Sequence, residues 1–173
     1  MSGSLIKIND ATVSSAVSSI TISGITNDYS VYQLFIEDVQ CAADDKNLIV
    51  HLTVSGTADE DSNYDSAFTQ VKVGSDDSTS SDANSSSLTI APSLSDATYE
   101  TTQGILHLFS FGDSSTYSYV TVEMNTILNN SEMRGMQGAF ILTEAQANDG
   151  LRFTWESGSN FSSGKFTLYG LNK

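Results

Sequence analysis

Asn47-Leu48-Ile49-Val50-His51-Leu52-Thr53-Val54-Ser55 alternates along its whole length. Leu48, Val50, Leu52 and Val54 fall on one side and Ile49, His51 and Thr53 on the other, the period of a pleated strand with one face in a core. Most other ordered-looking segments repeat this pattern. No stretch longer than a turn shows the three-to-four spacing of a helix, so the chain reads as all-β.

Working outward, residues 29–40 form the longest strand candidate, with Tyr32, Leu34 and Ile36 on one face. Val31, Phe35 and Val39 fall on the other, and a bulge is expected near Glu37-Asp38. Residues 104–111 set Leu106 and Leu108 against Ile105, His107, Phe109 and Phe111. Strands apolar on both sides are expected at the centre of a sheet. Residues 117–124 alternate more simply, with Val120, Val122 and Met124 opposite Tyr117, Tyr119 and Thr121.

Shorter strands are expected over residues 4–9, 16–23, 66–73, 87–91 and 138–143. Pro92 is the single proline, and it marks an edge or a strand end. Residues 127–136 are polar and irregular, with Asn129-Asn130 and Arg134-Gly135 as turn signals. Leu151, Phe153 and Trp155 share a face before Ser157-Gly158-Ser159-Asn160, and the chain returns through Phe166 and Leu168, which reads as a C-terminal hairpin. Residues 74–87 are a run of Ser, Asp, Thr and Asn with no apolar anchor, expected to be a solvated loop or an arm that orders against a partner. Residues 2–9 are a second candidate for ordering on contact. The expectation is one domain over residues 1–173: an antiparallel β-sandwich, jelly-roll-like, of about ten strands.

The totals narrow the partners. The 173 residues carry 21 acidic and 7 basic side chains, a formal net charge of -14. Such a surface repels phosphate backbones and anionic lipid, so neither nucleic acid nor membrane is expected as a partner. Cys41 is the single cysteine; no intrachain disulfide can form, and a small buried side chain is the expected role. The N-terminus lacks the charged and apolar regions of a signal peptide.

Catalytic and metal chemistry finds little support. His51 and His107 are the two histidines, each opposite a Leu/Val set; a shared metal site stays open, and a polar-face role is the ordinary one. Asp59-Glu60-Asp61-Ser62-Asn63-Tyr64-Asp65 alternates carboxylates like a calcium loop. It carries Tyr64 and Gln70 where an EF-hand needs Gly and a bidentate Glu, so a solvated acidic turn is expected, with calcium binding at residues 59–65 left open. No phosphate-cradling loop, nucleophile elbow or zinc spacing occurs. Carboxylates are too many and too scattered to single out a glycosidase pair. Tyr117, Tyr119, Trp155 and Tyr169 are candidates for a sugar-stacking platform or a protein interface, with core packing favoured for Trp155. No catalytic, cofactor-binding or metal-ligating residue is assigned, and no cofactor is expected.

Three stretches carry a resemblance. They are Ser18-Ser19-Ile20-Thr21-Ile22-Ser23-Gly24-Ile25 with Tyr29-Ser30-Val31-Tyr32; Val54-Ser55-Gly56 leading to Asp61-Ser62-Asn63-Tyr64-Asp65; and Ser163-Gly164-Lys165-Phe166-Thr167-Leu168-Tyr169-Gly170-Leu171. Together they resemble a family of small β-sandwich virion proteins of tailed bacteriophages, marine and cyanobacterial ones in particular, of decoration or tail-fibre type. Gln40-Cys41-Ala42-Ala43 departs from it where a proline turn is common, as does the long run 74–87. The resemblance implies a non-enzymatic structural role on the outer surface of a capsid or tail. Its partners are then itself, as a homotrimer or larger assembly, and other virion proteins such as the major capsid or tail proteins. A capsid decoration (cement) protein is preferred because the chain begins at Met1, holds one module and has no shaft. The alternative is a tail-fibre or tail-spike module binding a host receptor or glycan.

Overall fold

In the computed structural model, which describes residues 4–128 and 130–171, the chain forms thirteen strands, and no α-helix occurs among the described residues. In chain order they are β1 (Leu5–Thr12), β2 (Ser19–Ser23), β3 (Val31–Cys41), β4 (Lys46–Val54), β5 (Thr57–Ala58), β6 (Tyr64–Lys72) and β7 (Ser78–Ser85). There follow β8 (Leu88–Leu94), β9 (Thr102–Phe109), β10 (Ser118–Ile127), β11 (Met133–Leu142), β12 (Gly150–Trp155) and β13 (Phe161–Leu171).

Eight of these strands pair in nested order. β1 pairs with β13, β2 with β12, β3 with β9 and β4 with β8, all antiparallel, as in one long ribbon folded back on itself. The ribbon is then rolled. β13 also pairs with β3, and β12 with β4, giving β1-β13-β3-β9 in one sheet and β2-β12-β4-β8 in the other. This is the jelly-roll arrangement the sequence leads one to expect.

The count exceeds about ten because of two insertions. β5, β6 and β7 enter between β4 and β8, and β10 and β11 between β9 and β12. Four of these widen the first sheet to eight strands in the order β1-β13-β3-β9-β10-β11-β6-β7, while β5 caps one edge of β4.

The core lies between the sheets. β4 is interior to the smaller sheet, with Leu48, Val50 and Leu52 fully buried, as its alternation implies. On the facing sheet Leu34, Ile36, Leu106, Leu108, Phe166 and Leu168 close the same interior. Cys41 is buried there too, its thiol 3.3 Å from the Ser159 hydroxyl. The expected bulge in β3 is present: pairing slips between Ile36 and Val39, and Asp38 adopts φ 49°.

Three expectations are corrected. The C-terminal hairpin does not form: β12 bonds to β2 and β4, whereas β13 bonds to β1 and β3 in the other sheet. A 3-10 turn at Glu156–Gly158, with Ser157 at φ 60°, carries the chain from one sheet to the other. The aromatics that suggested pairing meet across the core instead, Phe153 to Phe166 at 4.9 Å and Trp155 to Phe161 at 5.3 Å between ring centroids. Two alternating runs joined by a Gly-Ser turn look alike whether they lie side by side or face to face.

Residues 74–87 are not simply a loop. β7 lies antiparallel to β6, with Thr79 opposite Thr69 and Ser81 opposite Ala67. The side chains along it are largely exposed, so the backbone ladder holds it and no hydrophobic period announces it. Pro92 falls inside β8 rather than ending it. β8 is an edge strand of irregular register, with Ser93 at φ 54° donating its N–H to Asn47 Oδ1 at 3.0 Å, so the ladder can spare the proline's missing donor. Of the segment 2–9, residues 5–9 belong to β1, while Ser2 and Gly3 lie outside the described residues, as does Asn129.

Candidate functional site

The two histidines are on opposite outer sides of the sandwich. His51 points outward from the smaller sheet, beside Arg152 of β12; His107 points outward from the larger sheet, beside Gln33 and Thr121. His51 is only 9% exposed, its ring edge-on to Tyr64 at 6.4 Å. Burial holds its imidazole below the usual range; Arg152 works in the same direction, and Glu60 and Asp59 oppose it.

The acidic loop is spent on its own construction. Asp59 Oδ1 accepts the Asp61 N–H at 3.0 Å and Oδ2 accepts Gln146 Nε2 at 2.6 Å, while Tyr64 donates its hydroxyl to the Asp59 carbonyl at 2.9 Å. Tyr64 also accepts the Leu52 N–H at 3.0 Å, and burial raises its pKa. Asn63 Nδ2 donates to Glu144 Oε2 at 3.0 Å. Among the described residues, no group of three or more His, Cys, Asp or Glu side chains is placed to hold a metal ion.

Sequence reading overlooked a polar hub in the segment before β12. Asp149 accepts the Thr53 hydroxyl at 2.6 Å and the Gly56 N–H at 2.9 Å, and its carbonyl accepts the N–H groups of Gly24 and Ile25, each at 3.1 Å. Asn148 is buried and donates to Ser118 Oγ at 2.8 Å. The hub ties β2, β4, the β4–β5 turn and β10 together. An Asn-Asp pair reads as an ordinary turn signal, which hides it.

The four aromatic candidates divide. Trp155 is core, 2% exposed, as favoured. Tyr117 lies just before β10 and is exposed. Tyr119 and Tyr169 stand on the outer face of the eight-stranded sheet, on β10 and β13 with β3 and β9 between them.

That outer face carries the most unexpected chemistry in the molecule. Register places Val31, Phe109, Tyr119 and Ile141 in one row across β3, β9, β10 and β11. Thr167, Phe35, Ile105, Glu123 and Gln137 form another, with Tyr169, Gln33, His107, Thr121 and Ala139 between them. Phe35 and Tyr169 meet edge to face at 5.5 Å. β3 and β9 are central, as expected, but among the described residues no layer covers their second apolar face. The sequence signal was present in their two-sided apolarity, which reads equally as a strand buried on both sides.

Bulk is unevenly distributed over this face. Leu5, Tyr169, Phe35, Ile105 and Phe109 crowd the half made by β1, β13, β3 and β9. Gly135, Ala139, Ala67, Thr69 and Ser81 leave the β11-β6-β7 half low between Ile141, Met133 and Val71, with a groove of about 470 Å3 over Gly135 and another of about 320 Å3 over Ala67 and Thr69; the crowded half has a hollow of about 310 Å3 between Leu5, Phe35 and Tyr169. A Cβ added at Gly135 would meet no atom within 4 Å. The outward charges are two lysines and four carboxylates. Lys7 pairs with Asp10 at 2.7 Å and Lys165 with Glu37 at 2.9 Å, which leaves Asp65 and Glu123.

No family model matches the chain, and comparison with curated proteins and with solved structures finds no similar protein.

Proposed function

We propose that this protein is a structural component of a phage virion, a capsid decoration protein that acts through protein–protein contacts rather than catalysis. The observation that carries the reading is the open face of the eight-stranded sheet, where half-buried Phe35, Ile105, Phe109 and Tyr169 stand beside exposed Leu5 and Tyr119 in a chain of net charge -14. Contiguous outward apolar surface of this kind marks interaction sites, and buried aromatic anchors dominate the energetics of such contacts. The virion assignment rests on the sequence resemblance. A jelly-roll sandwich whose exposed loops and edges are rich in Ser, Thr and Asp suits a particle surface, where solubility outside and adhesion at one face are both required.

The test is to image intact particles with gold-labelled antibody against the chain and to challenge particles lacking it with osmotic shock. Label over the head and particles that rupture more readily support decoration. Label at the tail tip, with sound heads and lost adsorption, transfers the assignment to a receptor- or glycan-binding fibre module. Absence of label from purified particles overturns the virion reading.

A further inference from the structure

We infer that the open face of the eight-stranded sheet is a self-association surface. Two copies pack face to face about a twofold axis running along the strands between β9 and β10. This deepens the proposed function, and rests on its reading of that face as a protein-binding surface.

Shape gives the first argument. A twofold axis between β9 and β10 lays the β1-β13-β3-β9 half of one copy over the β10-β11-β6-β7 half of the other, the isologous arrangement in which one patch complements itself. The high half then seats on the low half twice. Following the register rows, Tyr169 comes over Ala67 of the second copy, Val31 over Ile141, and Phe109 over Tyr119. A twofold axis across the strands would instead stack high on high and leave the groove over Ala67 and Thr69 unfilled.

Area gives the second. Eight strands spaced about 4.8 Å apart, each about eight residues deep at about 3.3 Å per residue, make a face of roughly 900 Å2. A standard stable interface takes about 800 Å2 from each partner. Charge gives the third. Two chains of -14 repel one another over most of their surfaces, but on this face the lysines neutralise two of the four carboxylates. Of the other two, Asp65 lies on β6, within the part of the face that receives Lys7 and Lys165 from the second copy, whereas Glu123 on β10 stands beside the axis over Ile105 and opposes association there.

Sedimentation of the full chain from low micromolar to submillimolar concentration tests this, with three variants alongside. The wild type is expected to dimerise. Ile105→Asp adds a second carboxylate beside Glu123 at the axis, and Ala67→Trp fills the hollow assigned to Tyr169; each is expected to weaken the dimer about tenfold or more. Thr21→Asp, outward on the other sheet, is expected to leave it unchanged. All three positions lie outside the core, so an unaltered thermal transition shows that a loss of association reads the interface. A monomer throughout the range overturns the inference, as does a trimer or a dimer indifferent to both Ile105→Asp and Ala67→Trp. A monomer that still binds capsids overturns the second copy as occupant while sparing the proposed function. A dimer absent from particles does the reverse.

Discussion

On the outside of the five-stranded sheet the strands present Ser19, Thr21, Ser23, Thr89, Arg152 and Thr154 around Ile49 and His51, whereas the eight-stranded sheet presents Leu5, Phe35, Ile105, Phe109, Tyr119, Ile141 and Tyr169 among polar residues such as Gln33, Thr121 and Glu123. Both sheets turn their other face to the same core. A solvated antiparallel sheet needs only the first kind of surface. The second kind lies outside the core, and the proposed function gives its apolarity a use in association.

The largest expected effect separates inside from outside. Phe166→Ala removes a fully buried ring that touches Phe153 and Phe161 across the core, and should cost about 3–5 kcal/mol in urea denaturation. Phe35→Ala, on the open face, should cost the isolated chain only about 1 kcal/mol. Equal losses would break the comparison by showing that the outer face is as structural as the core.

Next in size is the hub beneath the polar sheet. Asp149→Ala leaves Thr53 and the Gly56 N–H without their acceptor and should destabilise by about 2–3 kcal/mol, read from the same denaturation curves. A change within about 0.5 kcal/mol would mean that water replaces those bonds without loss.

A smaller effect depends on pH. The fold holds His51 below its ordinary value of 6.5, so the neutral ring is the form the folded state favours. Its contribution is present above that value and is lost as pH falls through the lowered folded pKa. The urea midpoint of the wild type should therefore decline on acidification below 6.5 more steeply than that of His51→Gln, before the carboxylates titrate. Parallel declines would remove His51 from the account.

The smallest effect is at the edge. β7 has no buried side chain, so its amides should exchange with solvent faster than those of β3, although both are paired strands. Matching protection would show that a partner or another element covers it.

Local alternation made most of the fold legible. β3, β4, β9 and β10 are where the apolar period places them, because each has one face against the core. What escaped is non-local. The partners of β12 and β13 depend on strands about a hundred residues away or more, β7 has no side-chain signal at all, and Asn148-Asp149 gains its meaning from four chain segments that converge on it. The open face was half legible: Phe35, Ile105 and Phe109 were visible as second-face apolar positions, but central burial and an uncovered surface produce the same pattern.

Side-chain oxidation footprinting of the assembled protein reads burial of the open face itself, with Tyr99, 85% exposed in the loop after β8, as an internal reference. Assembly through the open face should protect Phe35, Tyr119 and Tyr169 together and leave Tyr99 reactive. Protection of Tyr99 with the sheet-face aromatics still fully reactive would contradict it.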